Sequence, residues 1–407
     1  MTGAVRHETR MMQTAEPVSD LDPFGEAFLT HPFPFHEQLR EAGPAVRLTR
    51  YGVWAVARYA EVSALLLDWE TFCSSSGVGL ADFRKEPPWR KPSIILEADP
   101  PLHTRTHKVL ARVLSPAVLR ALRPTFERVA EEMVDALVAR GTFDGVNDLG
   151  RLYPTHVFAD AIGLPRAGRE NLLPYGNMVF NANGALNALF EKSVADAAPV
   201  LAWIAKMTER RHLADGSIGA AVYAAVETGE IDEDEAAMLV RSLLTAGLDT
   251  TVHGIGSALV AFARNPSEWE RLHADPSLAR NAFDEVMRYE SPVQAFFRTT
   301  TRPTEIGGVA IAAGEKVLVF FAAANRDPRR WTDPDRFDIT RRAGGHVAFG
   351  SGIHRCVGEF VGKMEGEIVL AALARRVARL ELAGEPVLRL NNTLRGYDAA
   401  PLRVTAA

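Results

Sequence analysis

The chain reads as a mainly α domain, helix-rich with a few small β-sheets in an α+β arrangement. Three observations predict this. Apolar residues make up 47% of the chain and charged residues 24%, ordinary globular usage that supports one large core. Long stretches place apolar residues at helical spacing, and the clearest begins on a capping box. Only short segments alternate as strands do. Across 407 residues no repeat, low-complexity block or shift of composition marks an internal boundary. Residues 21–407 therefore read as one domain behind a loose polar tail at 1–20.

The elements follow in order. Tyr51–Ala57 alternates and reads as a strand beside a turn, and a short helix begins over Ser63–Leu67. From Ser74 to Leu96 the pattern breaks down around Pro87, Pro88 and Pro92, and an irregular loop of that length in a compact domain is often functional. Helical patterns resume at His103 and run intermittently to Leu213. Asp232–Arg264 is the longest helical stretch, capped by Asp232 with Glu235 and ended by Asn265-Pro266. A helix over Ser277–Tyr289 stops before Ser291-Pro292. Short strands are expected at Thr304–Ile311 and Lys316–Phe321, and a last helix from about Cys356 to about Val377.

The net charge of −5 argues against a general nucleic-acid binder. Two cysteines, Cys73 and Cys356, make no disulfide framework and fit a reducing compartment. Met1–Asp20 has no apolar core of the kind a signal peptide needs, and no run of about 18 apolar residues predicts a membrane span. A cytoplasmic protein is expected.

The most informative stretch is Phe349-Gly350-Ser351-Gly352-Ile353-His354-Arg355-Cys356-Val357-Gly358. It sets one cysteine in a glycine-punctuated loop just before a helical pattern. Glycines at 350 and 352 let backbone turn sharply and approach a flat ligand closely. Gly358 lets the start of the next helix come near the same ligand. Backbone N–H groups there can point at the Cys356 sulfur and stabilise a thiolate. Such a sulfur suits the axial position of a haem iron. The spacing Phe-Gly-x-Gly-x-His-x-Cys-x-Gly resembles the haem-binding loop of the cytochrome P-450 family, and the resemblance extends from about Asp22 to the C-terminus.

The resemblance implies the cytochrome P-450 fold around a buried haem b, O2 as co-substrate, and a monomer of the soluble bacterial type. Glu285-x-x-Arg288 is similar to the family's buried ion network. Asn325–Pro328 and Asp333–Phe337 resemble the meander it pins, with Arg336 as the partner arginine. Ala246-Gly247-Leu248-Asp249-Thr250-Thr251 resembles the oxygen-activating helix segment, widened by residues poor in a helix interior. There Thr250 would hold oxygen and a water, and Asp249 would relay protons. His103, Arg298 and His354 match contacts to the haem propionates, for which cations are a sound choice. His107 stands where the family usually carries arginine, which would make that contact weaker or pH-dependent.

A narrower resemblance concerns the substrate. Pro87–Leu96, Arg241–Thr245, Ser291–Arg298 and Asn391–Gly396 are similar to segments of bacterial members that oxidise para-substituted benzoic acids. Arg90 and Ser93 would clamp a carboxylate, with Ser242 one helical turn before Ala246 and Arg241 adding field. Leu96, Phe180, Ala246, Val293, Phe296 and Leu394 would sandwich the ring, although Phe180 and Phe296 also suit ordinary core packing. Thr245, where that subgroup tends to have serine, would narrow the pocket. Other substrates, such as a terpene or fatty acid, and a non-catalytic haem-thiolate sensor are the alternatives.

No Gly-x-Gly-x-x-Gly follows a strand and no cysteine cluster could hold iron–sulfur, so electrons would come from another protein. The resemblance implies a ferredoxin reduced by a flavoprotein. Arg105, Lys108, Arg112, Arg355 and Lys363 could form a basic docking patch, or simply be solvated helix faces.

Overall fold

A computed structural model describes residues 16–407. Helices dominate, and the largest sheet has six strands in the order Val18–Ser19, Val46–Leu48, Val53–Val56, Lys316–Phe320, Ala295–Thr300, Phe72–Cys73. Most of the expected tail lies outside the described residues. Within it, Val18 and Ser19 pair with Arg47 and Leu48, so 16–20 is tied to the sheet. The strand over Ala295–Thr300 carries no polar alternation to announce it. It lies between two other strands, and its last four residues are buried, so both faces meet protein.

The expected strand at Thr304–Ile311 is a hairpin, Thr304–Ile306 against Val309–Ile311. It turns on Gly307 and Gly308, both at positive φ. The helix expected from Ser63 begins at Tyr59, the helix Ala279–Glu290 matches its expected position, and the cysteine helix spans Glu359–Ala374. Residues 74–96 contain no helix or strand.

Asp232–Arg264 is not one helix. It divides into Glu233–Ala246 and Asp249–Arg264, broken at Gly247-Leu248. The capping box is present: Asp232 accepts from the Glu235 amide at 2.8 Å, and Glu235 accepts from the Asp232 amide at 3.1 Å. At the break, Thr250 Oγ1 donates to the Ala246 carbonyl at 2.9 Å, and Thr251 Oγ1 donates to that of Gly247 at 3.4 Å. Hydroxyls bonded back to carbonyls four residues earlier compete with the helix ladder and bend it. Gly247 is also required by packing, because a Cβ there would overlap the Phe158 ring.

The meander before the cysteine loop is pinned by a buried network. Glu285 and Arg288 are 0% exposed and make a bidentate pair at 2.7 and 2.8 Å. Arg288 also donates to the carbonyls of Asn325 and Pro334, each at 2.9 Å. Arg336 is not the third side chain expected here. It is exposed and offers only its carbonyl, while Arg341 reaches Glu285 at 3.1 Å. Removing one member leaves the others charged and buried, which typically costs about 3–5 kcal/mol. Glu285→Gln should therefore lower unfolding free energy by roughly that amount in a denaturant titration.

Candidate active site

The break in the long helix, the 74–96 loop, the strand Ala295–Thr300 and the cysteine loop surround one cavity with about 1340 Å3 of empty space, its mouth included.

Cys356 opens into the cavity. Its loop is closed by the Cys356 amide donating to the Phe349 carbonyl at 2.8 Å and the Gly350 amide to Val347 at 2.9 Å. Gly350 has φ +70°, and Gly352 has φ +66° with its Cα packed against the Leu66 carbonyl. Only glycine meets both demands comfortably. The thiol is ringed by protein apart from the cavity itself. Burial pushes it up to about 11, while the Gly358 and Glu359 amides at the helix start pull the other way. A metal on the sulfur would displace that proton outright.

On another wall, His103, His107, Arg298 and His354 line the same cavity. His103 and His354 lie with ring centroids 4.3 Å apart and planes tilted by 58°, and among the described residues the Nε2 of each has no hydrogen-bond partner, although that of His354 is 3.6 Å from Asp99 Oδ1. Burial lowers His103 to about 4 and Arg298 to about 10. His107, 5.3 Å from His103, is lowered for the same reason. Arg298 bonds only its neighbour's carbonyl at 2.8 Å and has no carboxylate partner among the described residues. An unpaired buried guanidinium and the unpartnered His103 imidazole beside a cavity fit a ligand that brings its own carboxylates. Together with a thiol aimed into the same space over a glycine loop, they fit a haem.

The polar end of the cavity differs from expectation in one respect. Arg90 is not free, because Glu97 holds it in a bidentate pair at 2.9 and 3.2 Å and also accepts from the Ser93 amide at 2.6 Å. Glu97 lies four residues after Ser93, close enough for a local loop to fold onto it. Arg241 instead bonds only the Lys91 and Pro92 carbonyls, at 2.9 and 3.3 Å. Ser93 Oγ and Ser242 Oγ are 3.5 Å apart. Leu96, Phe180, Thr245, Ala246, Val293 and Phe296 line the walls. Leu394 does not. It is bridged to Val293 through backbone and lines a separate small cavity of about 500 Å3.

Asp249 and Thr250 divide the break between them. Thr250 lines the cavity with its hydroxyl donated to Ala246, leaving lone pairs to accept from a ligand. Asp249 is buried one turn from His253, with Oδ1 3.7 Å from His253 Nε2. Four of the five expected docking cations are already paired: Arg105 with Glu235, Arg112 with Glu230, Arg355 with Glu359, and Lys363 with Asp284 and Glu359. They do not make a free basic field. Glu97, His253 and Arg341 were not singled out from sequence. The i,i+4 spacing of Asp249 and His253 was the signal available for one of them.

A helical fold enclosing a cavity with a cysteine on one wall and cations for carboxylates on another defines a haem-thiolate protein. The family profile "Cytochrome P450" matches residues 201–378. Cytochrome p450 CYP199A2 of Rhodopseudomonas palustris is 57% identical over 388 residues, covering 95% of this chain and 94% of its own length. The cytochrome P450 monooxygenase PikC of Streptomyces venezuelae is 32% identical, covering 95% and 94%. CYP109Q5 from Chondromyces apiculatus shares the structure at TM-score 0.81 with 30% identity, covering 96% and 99%. The cytochrome P450 CREJ, solved with (4-ethylphenyl) dihydrogen phosphate, does so at 0.85 with 28% identity, covering 94% and 99%. The chain belongs to the cytochrome P450 family. It is a monooxygenase that carries haem b and uses O2 as co-substrate. No helix among the described residues is long and apolar enough to cross a membrane.

Burial has opposite effects on Asp249 and His253. It raises Asp249 from 3.8 to about 6 and lowers His253 from 6.5 to about 3. The Asp249 contribution is full below pH 3.8 and lost as pH rises through about 6, on the order of 3 kcal/mol. The His253 contribution is full above pH 6.5 and lost as pH falls through about 3, on the order of 5 kcal/mol. Their slopes oppose each other between about pH 4 and 6. Unfolding of Asp249→Asn followed against pH should show a steeper loss of stability on acidification than wild type, together with higher stability at pH 7.

Proposed function

We propose that this monooxygenase takes a small aromatic carboxylic acid, a para-substituted benzoate, and oxidises the substituent opposite the carboxylate. The observation that carries the reading is the charge at the polar end of the cavity. Glu97 neutralises Arg90, and Arg241 has no carboxylate partner among the described residues, so one positive charge is left over. One carboxylate balances it. The Ser93 and Ser242 hydroxyls at the same end add donors. A flat ring suits the apolar walls of Leu96, Phe180, Ala246, Val293 and Phe296. The Thr245 hydroxyl is engaged by the Arg241 carbonyl at 2.9 Å, which leaves its methyl to limit the pocket's width. The solved relative CREJ holds a ligand of similar design, a para-substituted ring with an anionic head.

Bound haem, held through Cys356, supplies the iron at which O2 is activated. The side chains supply the rest. Anchoring the carboxylate aims the para group, and that position decides which C–H bond is oxidised. Thr250 accepts and orders hydrogen bonds in the cavity, and Asp249 brings protons to it. With 4-methoxybenzoate, one oxygen atom enters a methyl C–H bond, and the other leaves as water with two protons and two electrons. The resulting hemiacetal breaks down to formaldehyde and 4-hydroxybenzoate. Electrons come from a ferredoxin reduced by a flavoprotein. Phe360, an exposed aromatic four residues past Cys356, gives that partner an apolar contact.

Titrating the purified ferric holoenzyme with 4-methoxybenzoate should give a saturable shift of the haem from low to high spin. The uncharged 4-methoxybenzamide should shift it far less. Arg241→Ala should raise the acid's Kd by roughly 10- to 150-fold, the value of a charged hydrogen bond of about 1.5–3 kcal/mol. An acid that gives no shift, or binds no better than the amide, overturns this reading.

A further inference from the structure

The pair Asp249 and His253 is unusual for a protein interior. Both residues have side chains 1–2% exposed, and among the described residues all four of their polar atoms lack a hydrogen-bond partner. Buried polar groups are normally satisfied, so an apolar pair would be the stable choice at these positions. Two glycines make the room. A Cβ at Gly176 would lie 2.9 Å from Asp249 Oδ2, and one at Gly396 would collide with His253 Nδ1.

The ring has distinct sides. Nε2 is the nitrogen 3.7 Å from Asp249 Oδ1, and Nδ1 lies against Gly396. Two residues along the same strand, Gly396–Ala399, is Asp398, whose half-exposed carboxylate meets solvent. Asp398 Oδ1 is 3.1 Å from Arg151 Nη2 and 3.5 Å from Arg389 Nη1. Arg151 follows a π-helical turn, Gly145–Gly150, that packs on the helix bearing Asp249 and His253, with Gly150 beside the Val252 carbonyl. Its Nε is buried and without a partner. Such turns recur at functional sites. The charged groups whose fields reach the pair are Arg151, Arg389 and Asp398.

We propose that His253 is a positioning residue that passes protons from solvent at the Asp398–Arg151–Arg389 cluster to Asp249. This rests on the reading of Asp249 as the proton source for the cavity. In one transfer Nδ1 takes a proton delivered from solvent at Asp398 when the strand Gly396–Ala399 moves off the ring, while Nε2 gives its own to the Asp249 carboxylate. The ring ends as the other neutral tautomer and resets by exchange or a flip, with no charge left on it. The 3.7 Å separation exceeds a hydrogen bond, so the transfer requires a side-chain rotation that closes it. Burial keeps His253 neutral and puts Asp249 near neutrality, which is what such a transfer requires.

The test compares wild-type holoenzyme with Asp249→Asn, His253→Gln, His253→Leu and Asp398→Asn. One readout is the infrared carboxyl band of Asp249, assigned by its loss in Asp249→Asn and titrated against pH. The other is product formed per NADH, with its solvent isotope effect, using 4-methoxybenzoate and a bacterial ferredoxin and reductase. His253→Gln and His253→Leu should move the Asp249 titration and lower coupling roughly tenfold with a larger isotope effect, the lost electrons appearing as hydrogen peroxide. The ferric spectrum and the spin shift with the acid should stay as in wild type. Asp398→Asn, at the surface, should change coupling in the same direction, and it decides the matter if both His253 variants fail to fold. Wild-type coupling and an unmoved carboxyl titration in the His253 variants, with Asp249→Asn uncoupled, overturn the role of His253 alone. Full coupling in Asp249→Asn overturns the reading beneath it as well.

Discussion

The cysteine loop is held in place by the buried cluster of Glu285, Arg288 and Arg341. Taking such charges out of water costs several kcal/mol each, and their attraction roughly offsets that. The network is thus weak evidence for stability and better evidence for registry. Arg288 reaches the Asn325 and Pro334 carbonyls, and Glu285 takes the Asp338 amide at 3.1 Å. Asn325 in turn accepts from the Val347 amide at 2.7 Å, two residues before Phe349. Helix Ala279–Glu290 is therefore connected to the cysteine loop by a short chain of hydrogen bonds. If that chain slackens, the Cys356 sulfur has no fixed height against whatever lies in the cavity.

A second constraint is the allotment of buried charge around the cavity. Structural cations are matched by acids: Arg288 by Glu285, Arg90 by Glu97, Lys363 by Asp284 and Glu359. Among the described residues Arg298 and Arg241 have no such partner, and both face the cavity. An unpaired charge in a protein interior is costly unless a ligand completes it. The two lie apart in the cavity, Arg298 beside the histidines and Arg241 beside Ser93 and Ser242.

What the sequence made legible follows from how local each determinant is. The loop Phe349–Gly358 and the Asp232–Glu235 capping box depend on neighbours within a few residues, and both have the expected form. The sandwiched strand Ala295–Thr300 was hidden because its partners, Phe72–Cys73 and Lys316–Phe320, lie far off in sequence. Arg341 was passed over for Arg336 because a motif fixes spacing, and which arginine turns inward is settled by a turn's geometry. Arg90, expected as a carboxylate clamp, lines the cavity. Its pairing with Glu97 was not legible, since any acid within reach of a flexible loop could have served. Leu394 fell on the far side of its bridge to Val293, a distinction that one strand's facing decides.

The break at Gly247-Leu248 joins these levels. A helix from Glu233 to Arg264 without interruption would be the more stable element, and the residues that prevent it are poor helix formers. Interrupting it starts a new helix at Asp249, next to the Thr250 hydroxyl that donates to the Ala246 carbonyl beside the cavity. A carboxylate in the first turn of a helix is favoured by the dipole, which partly offsets the burial that raises its pKa. Asp249 is thereby held between two protonation states, neither fixed by a strong partner. A buried carboxyl left unpaired beside an equally unpaired imidazole can exchange a proton near neutral pH, and the lost stability is a consequence of that freedom.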